Sequence, residues 1–310
     1  MAKKSIRSRL PEEEPISQDE LIDYDGRPTT APISVTLTNK DDIDATTCLF
    51  PFAVKVDPSA RFPKGLRYVP CGHCEDCMRR KRNQWFFRIK QEARSHLLNL
   101  FVTLTYDDDH LVYDDNGNPC VFKEEIRQFM RRLRKEIYPN KVRYYGISEY
   151  GPTTFRPHYH IVLFNWPVGY DQYSILLKTW GKGNNITVSI LQDEQAMYVC
   201  RYHTDKGFTP YGFQPTFTFM SKQPGIGACY ADDPDVRNYY LNDPERALSA
   251  PLEGGKRTSL GRYLRHRIYG KEFECPAPPD DGRDNLSRGE RLRTYYAKKA
   301  KRRAKLNGKL

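Results

Sequence analysis

The sequence predicts an α+β fold: a central antiparallel sheet of about four or five strands with helices packed on it. Two observations predict it. The runs LFVTLTY, KVRYYGISEYG, PHYHIVLFNW and ITVSI are rich in β-branched and aromatic residues and are separated by turn residues. Among them stand segments whose apolar residues recur at helical spacing while the other positions are charged. The chain has 310 residues, 38% of them hydrophobic, with 15 Phe and 21 Tyr, enough for one sizeable core.

Residues 1–46 are polar and poor in aromatics, the composition of a disordered leader. Residues 47–274 are expected to form the working domain, opening on a Cys-rich element, and 275–310 a basic tail that begins PAPPDDGRD and ends YYAKKAKRRAKLNGKL. From Arg79 the pattern predicts a helix. Trp85, Ile89, Ala93 and Leu97 recur every four residues with Phe86 beside them, and Arg79, Arg80, Lys81, Arg82, Arg88, Lys90 and Arg94 fill the other faces. The strand LFVTLTY follows, then a turn-rich loop, DDDHLVYDDNGNP. A second helix, KEEIRQFMRRLRKEI, carries the stripe Ile126, Phe129, Met130, Leu133 and Ile137. Two strands joined by a Gly/Pro/Thr loop come next, then a strand in which Ile186, Val188 and Ile190 alternate with Thr187 and Ser189. A helix is expected over about Asp193 to Thr204, and FTFMSKQPGIGACY reads as a structured Gly/Pro turn.

The formal net charge of +11 favours a polyanionic partner, nucleic acid before an anionic membrane. The opening MAKKSIRSRLPEEEP lacks the apolar core of a secretory signal, and no apolar run is long enough to span a bilayer. The expected compartment is a reducing cytoplasm, where the eight cysteines are thiols or metal ligands before disulfides. Three of them, Cys71, Cys74 and Cys77, form CGHCEDC. Two overlapping CxxC steps suit a thiolate site for structural Zn2+, with Cys48 or His73 completing four ligands; reduced thiols or a redox pair are the alternatives.

His158 and His160 sit one residue apart in a strand, so both imidazoles point to one face. If the preceding strand pairs antiparallel, Glu149 reaches the same face and adds an oxygen ligand. Two histidines and a glutamate leave open positions for a catalytic metal; ordinary surface or core histidines are the alternative. In QAMYVCRYHTDK, Tyr198, Tyr202 and Lys206 share one helical face, while Ala196, Val199, Cys200 and His203 form a stripe able to pack on a sheet. Tyrosine can act as a nucleophile, and Lys206 or Arg201 could favour its phenolate or bind a phosphate.

In this order, FVTLTY, PHYHIVLF and YVCRY resemble the three motifs of HUH endonucleases, the rolling-circle replication initiators. More narrowly the chain is similar to the initiation proteins of gokushovirus-type microviruses, single-stranded DNA phages, through VPCGHCEDCMRRKRNQWFFR, FVTLTYDDDHL, ISEYG with RPHYHIVLF, YVCRY and MSKQPGIG. The resemblance extends from Cys48 to Gly270. It implies an HUH or RRM-like sheet that nicks and re-joins single-stranded DNA at an origin. His158, His160 and Glu149 would hold Mg2+ or Mn2+. Tyr198 or Tyr202 would attack the scissile phosphate, keep the DNA 5′ end and free a 3′-hydroxyl, and the two tyrosines could alternate. Tyr159 stands where the family tends to an aliphatic, and Asp205 precedes Lys206.

Arg79, Arg80, Lys81, Arg82 and Arg201 are the expected DNA-binding cations. Phosphotyrosyl exchange conserves the phosphodiester energy, in keeping with the lack of a Walker-type phosphate loop in the sequence. Host DNA polymerase and helicase are the expected partners, in bacterial cytoplasm, with no membrane. The rival readings are a non-catalytic zinc-containing DNA-binding regulator and an HUH transposase or relaxase. A histidine-triad hydrolase would need a third alternating histidine where Val162 stands.

Overall fold

A computed structural model of the chain describes residues 65–203, 209–252 and 257–273, together with 48, 50, 52–55, 57–58, 275 and 296–297. The expected leader and nearly all of the expected basic tail lie outside the described residues. By its contacts the chain divides into two compact units, Met1–Cys74 with Ala277–Leu310, and Glu75–Pro276. In the first, β1 (Phe52–Lys55) and β2 (Leu66–Val69) pair antiparallel with Phe52 opposite Val69.

The second unit has the expected α+β architecture. Its sheet is antiparallel with strand order β6-β3-β5-β4-β7. The strands are β3 (Asn99–Thr105), β4 (Arg143–Tyr150), β5 (Pro157–Phe164), β6 (Ile186–Ile190) and β7 (Thr218–Met220). The helices are α1 (Glu75–Arg94), α2 (Lys123–Glu136), α3 (Gln172–Trp180), α4 (Asp193–Cys200), α5 (Ala228–Asp232), α6 (Pro234–Leu241) and α7 (Arg262–Tyr269). A short hairpin, β8 (Ser249–Pro251) with β9 (Arg257–Ser259), precedes α7.

The two faces of the sheet are built differently. On one, Leu100, Val102, Leu104, Tyr159, Ile161 and Leu163 pack under the α2 stripe of Ile126, Phe129, Met130 and Leu133, with Leu176 and Trp180 of α3. All four α2 residues are buried, as their 3.6-residue spacing predicts. On the other, Tyr145, Ile147, Val162 and Phe164 meet Ile89 of α1 and Ala196, Val199 and Cys200 of α4. A third cluster joins Phe87 of α1 to Ala231, Tyr240, Leu264 and Ile268.

Three expectations for elements need correction. The first helix starts four residues earlier, at Glu75, and ends at Arg94, so Leu97 falls beyond it and is almost fully exposed; Phe87, not Leu97, is a core residue of that segment. The tyrosine segment is α-helical only to Cys200 and continues as a 3-10 turn over Arg201–His203. Ile190, at the end of edge strand β6, is 60% exposed, because an edge strand has fewer neighbours to cover it.

The PGIG turn is docked by a buried ion pair. Glu92 of α1, 2% exposed, accepts from the Gly227 amide at 2.6 Å and from the Arg143 guanidinium of β4. Arg143 also donates to the Pro224 carbonyl at 2.8 Å, and Arg88 to the Ile226 carbonyl at 2.8 Å. Gly227 has φ of +76°, and a Cβ there would come within 2.9 Å of the Arg88 backbone, so the position requires glycine.

Candidate metal and tyrosine site

The register of the sheet assembles the histidine site. In the β4–β5 ladder Glu149 lies directly opposite His158 and Ile147 opposite His160; on the other side of β5, Thr103 lies opposite His160 and Thr105 opposite His158. Directly opposed residues place their Cβ atoms about 5 Å apart, so these side chains meet above the face that also carries Val162 and Phe164. Tyr159, between the histidines, points the other way and is buried. Its hydroxyl accepts from the Phe122 amide at 2.9 Å and pairs with the Tyr106 hydroxyl at 2.9 Å. A tyrosine is thus accommodated here because its polar end is fully engaged.

Glu149 Oε2 lies 3.1 Å from His160 Nε2 and 3.8 Å from His158 Nε2. The outer nitrogens are held from behind. His158 Nδ1 is 3.1 Å from the Arg156 carbonyl, which can only accept, so Nδ1 carries the proton and Nε2 presents its lone pair. His160 Nδ1 is 2.9 Å from Thr103 Oγ1, and its ring stacks on Phe101 at 5.6 Å and 8°. Thr103 and the Arg156 carbonyl were not singled out in the sequence. For Thr103 the signal was present: it is an alternating polar position in FVTLTY, facing the same side as the histidines.

Tyr198 completes the group. Its hydroxyl donates to Glu149 Oε2 at 2.6 Å, and its ring stands edge-on to His160 at 5.0 Å. Tyr202 is turned elsewhere: its hydroxyl donates to the Thr216 carbonyl at 2.6 Å. Four α-helical residues return a side chain to within about 40° of the same face. The change to a 3-10 turn at Arg201 breaks that repeat and separates the two hydroxyls' partners. Helix α4 itself begins on a capping box, in which the side chains of Gln192 and Gln195 satisfy each other's backbone amides.

Electrostatics follow the geometry. Burial pushes the Glu149 carboxyl up, but hydrogen bonds from His160 and Tyr198 and the charge of both imidazoles outweigh it and hold the group below its ordinary value. Burial, with His160 next, lowers His158, which favours the neutral imidazole a metal requires. Burial and the Glu149 carboxylate push the Tyr198 phenol well up, with Arg201 opposing them.

His158 Nε2, His160 Nε2 and a Glu149 oxygen lie within 4.8 Å of one another. Two imidazole nitrogens and a carboxylate converging on one point fit a divalent cation with coordination positions left for substrate. The expected basic residues lie on α1 and beside the tyrosine. Arg79 pairs with Asp76, Arg80 donates to Cys77 Sγ at 3.4 Å, Arg82 reaches Asn83 at 3.4 Å, and Lys81 and Arg201 are exposed. Lys206 lies outside the described residues.

Comparison with known proteins agrees with this frame. A family model for replication-associated proteins of the ORF2 type matches residues 99–207, from β3 through the tyrosine segment. Replication-associated protein ORF2 of Spiroplasma virus 4 is 34% identical over 221 residues, 64% of this chain and 67% of that protein. The chain belongs to the phage replication-associated proteins. Within this family, replication-associated protein ORF4 of Chlamydia phage 1 is 30% identical over 153 residues, 43% of this chain and 37% of the relative. Replication-associated protein VP4 of Bdellovibrio phage phiMH2K is 29% identical over 153 residues, 44% of this chain and 48% of the relative. The chain therefore spans less than half of the length of these two relatives. No solved structure matches. Among the described residues, no helix is long and apolar enough to cross a membrane.

Proposed function

We propose that this replication-associated protein initiates rolling-circle replication by nicking and re-joining single-stranded DNA at an origin, with Tyr198 as the attacking tyrosine. The observation that carries this reading is the 2.6 Å hydrogen bond from the Tyr198 hydroxyl to Glu149, within the group that also holds His158 and His160.

The Tyr198 oxygen attacks the scissile phosphorus, the bond from phosphorus to the 3′-oxygen breaks, and the 5′ end remains as a phosphotyrosine. Glu149 accepts the phenol's hydrogen bond and stands nearest to take its proton; the departing 3′-oxygen takes a proton and becomes the primer hydroxyl. Re-joining is the reverse attack, in which a 3′-hydroxyl displaces tyrosine, so the phosphodiester energy is kept. His158, His160 and Glu149 would hold Mg2+ or Mn2+, which when bound polarises a phosphate oxygen as a Lewis acid. Because the phenol is held well up, this polarisation and a nearby proton acceptor are what the attack needs.

Tyr202 is the second tyrosine, available for a following exchange once its bond to Thr216 is released. Arg201 and Lys206 are assigned to phosphate binding beside the tyrosines, and Arg79, Arg80, Lys81 and Arg82 to the DNA backbone. The protein acts in the bacterial host with host helicase and polymerase.

The test is incubation with origin single-stranded DNA and Mn2+, followed by mapping of the DNA-linked peptide by mass spectrometry. A 5′ adduct on Tyr198, lost in Tyr198→Phe and retained in the first cleavage by Tyr202→Phe, is expected. An adduct on Tyr202 alone would overturn the assignment of Tyr198. Binding without cleavage under every metal would favour the non-catalytic regulator.

A further inference from the structure

We propose that the first unit carries a structural Zn2+, held by the thiolates of Cys48, Cys71 and Cys74, with Cys77 as the fourth donor along the same CxxCxxC run. The sulfurs of Cys48, Cys71 and Cys74 lie within 4.8 Å of one another, and those of Cys48 and Cys74 are 4.0 Å apart. A disulfide needs about 2.05 Å. Four thiolates arranged tetrahedrally at ~2.3 Å from Zn2+ stand roughly 3.8 Å from each other. The observed separation is therefore that of ligands to a common ion and not that of a bonded pair.

The backbone is shaped for thiolates. The Cys71 amide donates to Cys48 Sγ at 3.2 Å, and the Cys74 amide to Cys71 Sγ at 3.3 Å. Such N–H donors favour the charged, deprotonated sulfur over the thiol. Gly72, with φ of +76°, permits the turn that brings the Cys74 amide back over Cys71. Cys48 is 2% exposed, so the site is shielded on that side. His73, the other sequence candidate for a ligand, is exposed.

Topology gives the ion its purpose. Cys48 precedes β1 by four residues and Cys71 follows β2 by two, while β1 and β2 pair with Phe52 opposite Val69. The thiolates therefore sit at the open base of a two-stranded hairpin. A lone hairpin is marginal at best in water, and a metal that binds only the folded arrangement adds its binding free energy to folding. The four thiol protons leave to solvent on binding, and no redox step is involved.

The experiment uses the full chain, purified without chelator. Elemental analysis and Co2+ substitution are the readouts. The expected result is one tightly held Zn2+ per chain and, with Co2+, an intense sulfur-to-metal charge-transfer band with tetrahedral ligand-field bands. That signature separates this site from the histidine site, which has no sulfur. It should vanish in Cys71→Ser and Cys74→Ser and persist in His158→Ala/His160→Ala. Should the serine variants fail to fold, alkylation of the native chain decides: Cys48, Cys71 and Cys74 are protected with Zn2+ and modified once it is chelated. A Co2+ spectrum without the charge-transfer band, or alkylation of these three thiols unaffected by Zn2+, overturns the proposal.

Discussion

At the scale of single residues, the site depends on groups that would touch neither metal nor DNA. Thr103 Oγ1 fixes one histidine and the Arg156 carbonyl the other, each from the nitrogen that faces away from Glu149. Partners of this kind set the tautomer and the orientation of the ring, and their loss typically lowers metal affinity about 10–100-fold. Thr103→Val is therefore expected to weaken Mn2+ binding by that range with little change in thermal stability, while Thr103→Ser retains most of the affinity. Titration calorimetry with Mn2+ and a melting curve check both halves. Tyr159 makes the opposite case. Its hydroxyl belongs to the core, and Tyr159→Phe leaves the buried Phe122 amide without that acceptor, at a cost of about 1–3 kcal/mol. Urea unfolding should show the loss, and the nicking rate at a temperature where the variant is folded should hardly move.

At the scale of elements, strand β5 joins both roles, with alternate residues serving the site and the core. That alternation was legible from the sequence, because His158 and His160 share a face and Tyr159 cannot. So was the contribution of Glu149, which needed only antiparallel pairing of adjacent strands. The α2 stripe was legible for the same reason: a strong 3.6-residue period leaves little choice. Short elements were not. Helix α3 has nine residues, and its cues are an Asp171 cap and a Gly181 end at φ of +61° around a single apolar stripe. Helices α5 to α7 owe their burial to one another and to Phe87, a tertiary fact that no local pattern carries.

The divergence of Tyr198 and Tyr202 was hidden too, since equal spacing implies a shared face only while the helix stays α. The ion pair of Glu92 with Arg143 joins sequence positions 51 residues apart, with nothing in either segment to announce it. Glu92→Ala leaves Arg143 and the Gly227 amide without their buried partner. The expected cost is about 3–5 kcal/mol, read as a lower urea midpoint.

At the scale of the whole molecule, the net charge of +11 bears on DNA binding. Phosphate contacts release counterions, so affinity for single-stranded DNA should fall linearly with the logarithm of salt concentration, by roughly 0.7 in slope for each phosphate neutralised. A double variant, Lys81→Ala/Arg82→Ala, should flatten that slope by about one to two phosphate equivalents without changing which tyrosine carries the adduct. Fluorescence anisotropy over a salt series measures it; an unchanged slope would remove α1 from the DNA path.

The sulfur cluster at the base of the β1–β2 hairpin changes how a common laboratory control is to be interpreted. Chelators are used to switch a metal-dependent nuclease off and on. In this chain a strong chelator would strip a structural ion along with the catalytic one, and an activity that returns only with Zn2+ and Mn2+ together would reflect refolding as much as chemistry. The informative sequence is to withdraw Mn2+ by dialysis, keep the thiolate site loaded, and then restore the second ion alone.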